Sequence, residues 1–193
     1  MKLFIDSSTS YLYLAVINGI NDVSYMRFGK NDHSETLVDY LDKFLKENNI
    51  QIEDIEEVCV GRGPGSYTGL RIAGTVGKVL AYTKNKTLKS FSSLDLVLAS
   101  VIEKDGKYLI KTLAKKKHSY IKVVNIINHN IEVVVNDSFV EDSALEEYSE
   151  YQVVEISEEI FQTPSLAKNI LTYNLLKEEC KYDYVPNYLR SGI

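Results

Sequence analysis

The sequence predicts a two-lobed α/β protein with a mixed β-sheet in each lobe and a cleft between the lobes. Three observations carry that prediction. Three strand-like segments open the chain, helices and strands then alternate, and after Asp105-Gly106 the pattern begins again. The 193 residues, 45% hydrophobic and 25% charged, suffice for two lobes that each bury a core. The expected boundary gives residues 1–103 to an N-terminal lobe and 104–193 to a smaller C-terminal lobe.

The opening strands are read at 2–6, 11–17 and 22–28, separated by Ser7-Ser8-Thr9-Ser10 and Asn18-Gly19-Ile20-Asn21. A helix is expected over 33–47, because Leu37, Leu41, Phe44 and Leu45 recur on one stripe and Asp32 to Glu35 are spaced as a capping box. Residues 55–60 form a short buried strand, and a second helix runs over about 68–83. A third helix is read at 92–102. The repeat begins with strands at 107–113, 119–127 and 131–135, the last two joined by Asn128-His129-Asn130. A strand at 151–156 comes next, and then a helix opening at Thr163-Pro164, an N-cap with proline at the first helical position.

Charge narrows the function. The net charge of −5 argues against a protein that coats nucleic acid through its overall field. A local patch stays open. Lys104, Lys107, Lys111, Lys115, Lys116, Lys117 and Lys122 crowd residues 104–122, whereas 123–167 holds no Lys or Arg. The cluster reads either as a solvated face or as a phosphate-binding surface. Cys59 and Cys180 are the two cysteines, both read as buried packing residues in a reducing cytoplasm, with no leader expected before Leu3. No uncharged stretch approaches the ~20 apolar residues needed to span a bilayer.

Gly61-Arg62-Gly63-Pro64-Gly65-Ser66-Tyr67-Thr68-Gly69-Leu70-Arg71-Ile72 is the most informative segment. Its glycines, between a buried strand and a helix, allow positive φ and close backbone approach, and phosphate at the helix start is the first reading. The spacing nevertheless fits neither GxGxxG nor GxxxxGK[ST]. Pro64 stands where a nucleophile elbow needs glycine, so Ser66 reads as a helix cap. Gly69, Ala73, Gly77 and Ala81 form a small-residue stripe that packs either on the chain's own sheet or on a partner's helix. Asp6, ending the first strand, either holds a hydrated Mg²⁺ beside a nucleotide or caps its turn. His33, His118 and His129 have no ligand spacing, because the position one turn after His33 is Leu37.

With these residues together, the chain resembles the TsaB (YeaZ) family of the tRNA threonylcarbamoyladenosine machinery. The resemblance rests on Leu3-Phe4-Ile5-Asp6-Ser7-Ser8-Thr9, His33-Ser34-Glu35-Thr36-Leu37, residues 63–72 with Lys78 and Ala81, Ser92-Ser93-Leu94, and Pro186-Asn187-Tyr188-Leu189-Arg190. It covers the first hundred residues best. Where relatives carry Asp-Ala-Arg in the second lobe, this chain has Leu113-Ala114-Lys115.

The resemblance implies an actin-like (ASKHA) fold of two RNase H-like lobes and a cytoplasmic, non-catalytic scaffold. Its implied partners are a TsaD-like catalytic paralogue, a TsaE-like ATPase and, through the complex, tRNA; alone, the chain would form a homodimer. The paralogue modifies the adenosine 3′ of the anticodon in tRNAs reading ANN codons and carries the metal. Implied interface residues are Leu37, Leu41, Leu45, Gly69, Leu70, Ala73, Gly77 and Ala81, with Asp6 as a degenerate nucleotide site and Lys115, Lys116 and Lys117 toward tRNA. No cofactor is expected for this chain beyond weak nucleotide binding, while ATP and Mg²⁺ serve its partners. An actin-like ATPase or sugar kinase is the alternative. Against it, eight of ten glycines lie at or before Gly77, leaving the second lobe without a glycine-rich cradle. A peptidase has neither metal pair, nucleophile elbow nor Cys-His arrangement to support it.

Overall fold

The computed structural model describes residues 1–19, 21–28, 32–162 and 165–189. The expected cap at Thr163-Pro164, Ile20 of the second turn, Arg190 of the tail motif and the side chains of His33 and Ser34 lie outside the described residues.

Alternation sets the first sheet. In β1 (Lys2–Asp6), Leu3 and Ile5 face one side and Phe4 the other, and all three are fully buried. Both faces must then be covered. β2 (Tyr11–Asn18) and β3 (Asn21–Phe28) complete an antiparallel meander, and β4 (Glu57–Gly61) and β5 (Thr87–Phe91) add parallel strands beside β1. Helices α1 (His33–Glu47) and α2 (Tyr67–Thr83) cover one face: Leu37, Leu41, Phe44 and Ala73 join Leu3, Leu14 and Val60 in one cluster. Each such buried leucine contributes about 2 kcal/mol. The capping box expected at Asp32 is not made. Arg27 takes both Asp32 carboxylate oxygens, at 2.9 and 2.6 Å, so the side chain ties β3 to the helix start instead.

The second sheet repeats the plan. β6 (Gly106–Lys115), β7 (His118–Ile127) and β8 (Asn130–Glu141) form a meander, and β9 (Gln152–Glu155) lies parallel to β6 as β4 lies parallel to β1. Its inner face, with Tyr108, Ile110, Tyr120 and Val124, meets Phe4, Tyr13, Ala15 and Cys59 of the first sheet in a shared core. Helices α3 (Ser93–Leu98) and α5 (Leu166–Thr172) contribute to that core, while α4 (Glu158–Gln162) supplies Ile160. The outer face is covered by Leu145 and Tyr148 of a 3-10 segment, Asp142–Tyr148, on Leu109, Ile121 and Val123. The expected helix over 92–102 shortens to α3 and continues as turns.

One correction concerns lobe membership. The sheets separate near residue 105, but β10 (Lys177–Glu179) pairs antiparallel with β5 and becomes an edge of the first sheet. Beyond it Tyr184 packs against Gly74 of α2, and the Asn187 amide donates to the Arg62 carbonyl at 2.7 Å. Residues 177–189 thus return to the first lobe. The expected 104–193 unit does not hold as one body, because these residues find their hydrogen-bond partners on β5 and at Arg62.

Candidate functional site

The segment after β4 is positioned by contact with the turn between β1 and β2. Ser66 is the N-cap of α2, its hydroxyl accepting from the Gly69 amide at 3.3 Å. Its own amide donates to the Ser8 carbonyl at 2.6 Å, and Ser7 Oγ donates to the Gly69 carbonyl at 2.8 Å. A side chain at Gly65 would collide with Ser8 and one at Gly69 with the Ser7 carbonyl. These glycines therefore serve loop-on-helix packing. Of the three alternate glycines, only Gly63 has positive φ, at 98°.

A nucleotide is the group this kind of cleft would imply, and the acidic residue the sequence offers for it is Asp6. Asp6, 3% exposed, accepts the Ser8 amide at 2.7 Å and presses its other oxygen against Gly61. That is the turn-capping role, facing β4, and Asp6 is not among the residues around the cleft. Of the amides at the start of α2, that of Ser66 is taken by the Ser8 carbonyl and that of Gly69 by the Ser66 hydroxyl. Of the two readings of Asp6, the turn cap is the one its contact with the Ser8 amide makes.

The candidate interface residues are corrected on burial. Leu37, Leu41 and Leu45 are at most 8% exposed, and Leu70, Ala73 and Ala81 at most 1%. Gly69 and Gly77 are buried too, a Cβ at Gly77 colliding with Val60 of β4. The stripe is what lets α2 lie on its own sheet, and that packing leaves it no surface to offer a partner. The outward surfaces of these helices instead carry Val38, Val79 and Tyr82, 61%, 52% and 64% exposed. Sequence reading missed them because an apolar residue outside the main stripe looks like noise.

The lysine cluster divides. Lys107 pairs with Glu150 at 3.0 Å and Lys111 with Glu155 at 2.9 Å. Lys122 is buried against Asp95 of α3 and Asp137 of β8, the latter at 3.4 Å. Burial alone would depress the Lys122 ammonium, but the two carboxylates overcome this and hold it above its ordinary value. Burial raises the Asp95 carboxyl, against the pull of Lys122. Lys104 and Lys107 are exposed, and so are Lys115, Lys116 and Lys117 at the β6–β7 turn, Lys115 lying 5.4 Å from the Phe139 ring centre. The sequence carried one clue: Lys122 falls in phase with Tyr120 and Val124, on the inner face. The cysteines also divide, Cys59 buried with its thiol pushed up to about 12, first by burial and then by Glu57, and Cys180 exposed, contrary to expectation.

Between the lobes lies a cleft of about 650 Å³, walled by the Ser8–Ser10 turn, the start of α2, the ends of β6 and β9, and Asn187 to Leu189. A helical two-histidine metal site has no place on α1, since Leu37 is fully buried core. Among the described residues no group of three or more His, Cys, Asp or Glu is placed to hold a metal ion. Ser66, occupied as a cap, is no activated nucleophile.

The family model described as TsaD, tRNA N6-adenosine threonylcarbamoyltransferase, matches residues 27–185. The chain belongs to the TsaD family. Within it the similarity runs to proteins called TsaB. The tRNA threonylcarbamoyladenosine biosynthesis protein TsaB of Bacillus subtilis is 30% identical over 70% of this chain and 59% of its own length. Its counterpart in Buchnera aphidicola is 25% identical over 66% of this chain and 52% of its own length. The chain spans little more than half the length of these curated relatives. A solved structure from Pseudomonas aeruginosa, described as similar to peptidase YEAZ, superposes with a TM-score of 0.76 over 98% of this chain and 99% of that one, at 17% identity. The TsaD-family chain thus has the two-lobed, mixed-sheet α/β fold of the YeaZ structures.

Proposed function

We propose that this chain is a non-catalytic scaffold in the formation of N6-threonylcarbamoyladenosine in tRNA, working in the cytoplasm beside a TsaD-like catalytic paralogue and a TsaE-like ATPase. The observation that carries the reading is the 30% identity with the Bacillus subtilis TsaB protein across 70% of the chain. Two features support the lack of catalysis. The loop that would meet a phosphate is clasped onto α2, and buried Leu37 stands where a helical metal pair would need its second imidazole.

The partner-binding surface is the outer side of α1 and α2, with Val38, Val79 and Tyr82 as its apolar contacts. The same surface pairs two copies when the paralogue is missing. The exposed Lys115, Lys116 and Lys117 contribute a weak electrostatic contact to tRNA.

Reconstitution tests the reading. Threonylcarbamoylation of tRNA should require this chain, the paralogue, the ATPase and the adduct-forming enzyme, each omitted in turn, while this chain alone hydrolyses no ATP. Modification indifferent to its omission, with hydrolysis by the chain alone, would replace the scaffold with an actin-like ATPase. Val79→Asp with Tyr82→Ala should abolish co-purification with the paralogue while leaving the fold intact. Charge reversal at Lys115, Lys116 and Lys117 should lower tRNA affinity and flatten its salt dependence.

A further inference from the structure

Three strands bring charged groups of both signs to one imidazole. His118 opens β7, with Lys115 of β6 as its cross-strand neighbour on one side and Glu141 of β8 on the other. Its ring stacks on Phe139, centres 5.0 Å apart and planes 13° apart, and the Lys115 ammonium sits 5.4 Å from the centre of the same Phe139 ring. The stack fixes the plane of the imidazole. Its Nδ1 lies 3.1 Å from the Lys116 carbonyl and its Nε2 3.9 Å from Glu141 Oε1. The turn is tied from its other end as well, where the Asp142 amide donates to the Lys117 carbonyl at 3.0 Å and Ser119 Oγ donates to Asp142 at 2.6 Å.

Both ring nitrogens thus face acceptors. A neutral imidazole carries one N–H, so in either tautomer one contact sets a nitrogen lone pair against an oxygen. Only the protonated ring donates to the Lys116 carbonyl and to Glu141 at once. Imidazole is the side chain whose ordinary charge change falls between about pH 5 and 8. Around this one, Lys115, Lys116 and Lys117 oppose the proton, while Glu141 and Asp142 favour it. Three lysines against two carboxylates give the corner a net charge of +1 with a neutral ring and +2 with a protonated one.

We infer that His118 is a proton-operated clamp on the lysine turn: its protonated ring ties the Lys116 carbonyl to Glu141 and adds a charge to the three lysines, and its neutral ring releases one tie. The clamp stands on contacts within the chain. Its consequence rests on the tRNA contact proposed for Lys115, Lys116 and Lys117: affinity for RNA rises as pH falls through the titration of His118, since one more positive charge meets the phosphates.

NMR of the full chain between about pH 8 and pH 5.5 tests the clamp, with the His118 ring nitrogens and the amides of Lys117, Glu141 and Asp142 as reporters. The amides should move together with His118 and independently of His129. His118→Gln should abolish that movement with an unchanged circular dichroism spectrum. Glu141→Gln, which removes one tie, should lower the midpoint by about half a unit or less. An unmodified tRNA transcript should bind about three-fold to ten-fold more tightly at pH 6 than at pH 8, with a salt slope steeper by about 0.7–0.9, and His118→Gln should remove both differences. Amides that ignore the protonation of His118, or that move equally in His118→Gln, would overturn the clamp. A transcript held by the lysines with the same pH dependence in both proteins would overturn its regulation by His118. Amides that follow His118 while binding is indifferent to the three lysines would uphold the clamp and overturn the tRNA contact instead.

Discussion

The turn between β1 and β2 and the turn between β6 and β7 occupy matching places in the two meanders, and their fates differ. Ser7 and Ser8 of the first are buried and hydrogen-bonded to the start of α2. Lys116 and Lys117 of the second stand in solvent, Lys117 with φ of 61°. The difference originates in the helices that succeed the parallel strand of each lobe. After β4 comes a 17-residue helix whose glycines admit the turn's backbone. After β9 come α4 and α5, five and seven residues long and without glycine. Equal strand order does not give equal loop function. A turn is drawn into a core only where a neighbouring helix lacks the Cβ atoms that would keep it out.

The comparison can be broken most severely where the lobes meet. Lys122→Met should cost about 3–5 kcal/mol in chemical denaturation, because Asp95 and Asp137 would be left buried without their cation. The held-up Lys122 ammonium stabilises the fold fully below its unfolded value of ~10.4 and ceases to do so as pH rises through its higher folded value. Alkaline destabilisation above that pH should therefore be shallower in the variant, as a stability curve against pH would report.

Next in size is the clasp itself. Gly69→Val should cost about 3 kcal/mol by forcing Ser7 away from α2, whereas Lys116→Ala at the matching turn should stay within about 0.5 kcal/mol. Equal effects in urea titrations would show that the two turns are alike after all. The thiols sharpen the same contrast between core and surface: a disulfide reagent should label Cys180 at once in the native protein and Cys59 only after unfolding. The smallest effect is expected at Asp105, whose carboxyl is held below its usual range by the backbone amides of Asn128 and His129. Its contribution is present above ~3.9 and is lost as pH falls through the lowered folded value. Asp105→Ala should thus speed hydrogen exchange of the Asn128 amide without a measurable change in melting temperature.

Much of this was legible because local pattern and tertiary environment agree. Apolar-rich runs buried on both faces mark β1, β2 and β7, the Leu37-Leu41-Leu45 spacing marks α1, and Ser66 announces the start of α2. Three features escaped for physical reasons. A stripe of glycine and alanine says that something approaches closely and leaves open what, so Gly69 and Gly77 could serve a sheet or a partner equally well. Lys122 sits in a run of solvated lysines and differs from them only in strand phase. β10 is three charged residues, Lys177-Glu178-Glu179, whose strand state comes entirely from the open edge of β5. The cleft was legible as a consequence of two lobes. Its lining was not, since Thr112, Tyr120 and Tyr188 are ordinary residues until the fold assembles them.

The return of residues 177–189 to the first sheet also carries a consequence for synthesis. β5 ends at Phe91, and the strand that covers its edge begins at Lys177. A ribosome adding roughly 5–20 residues per second leaves that edge unpaired, and the Gly74 notch empty of Tyr184, for on the order of ten seconds. During that interval the nascent first lobe is a sheet with a missing border, and its completion is timed by the emergence of the second.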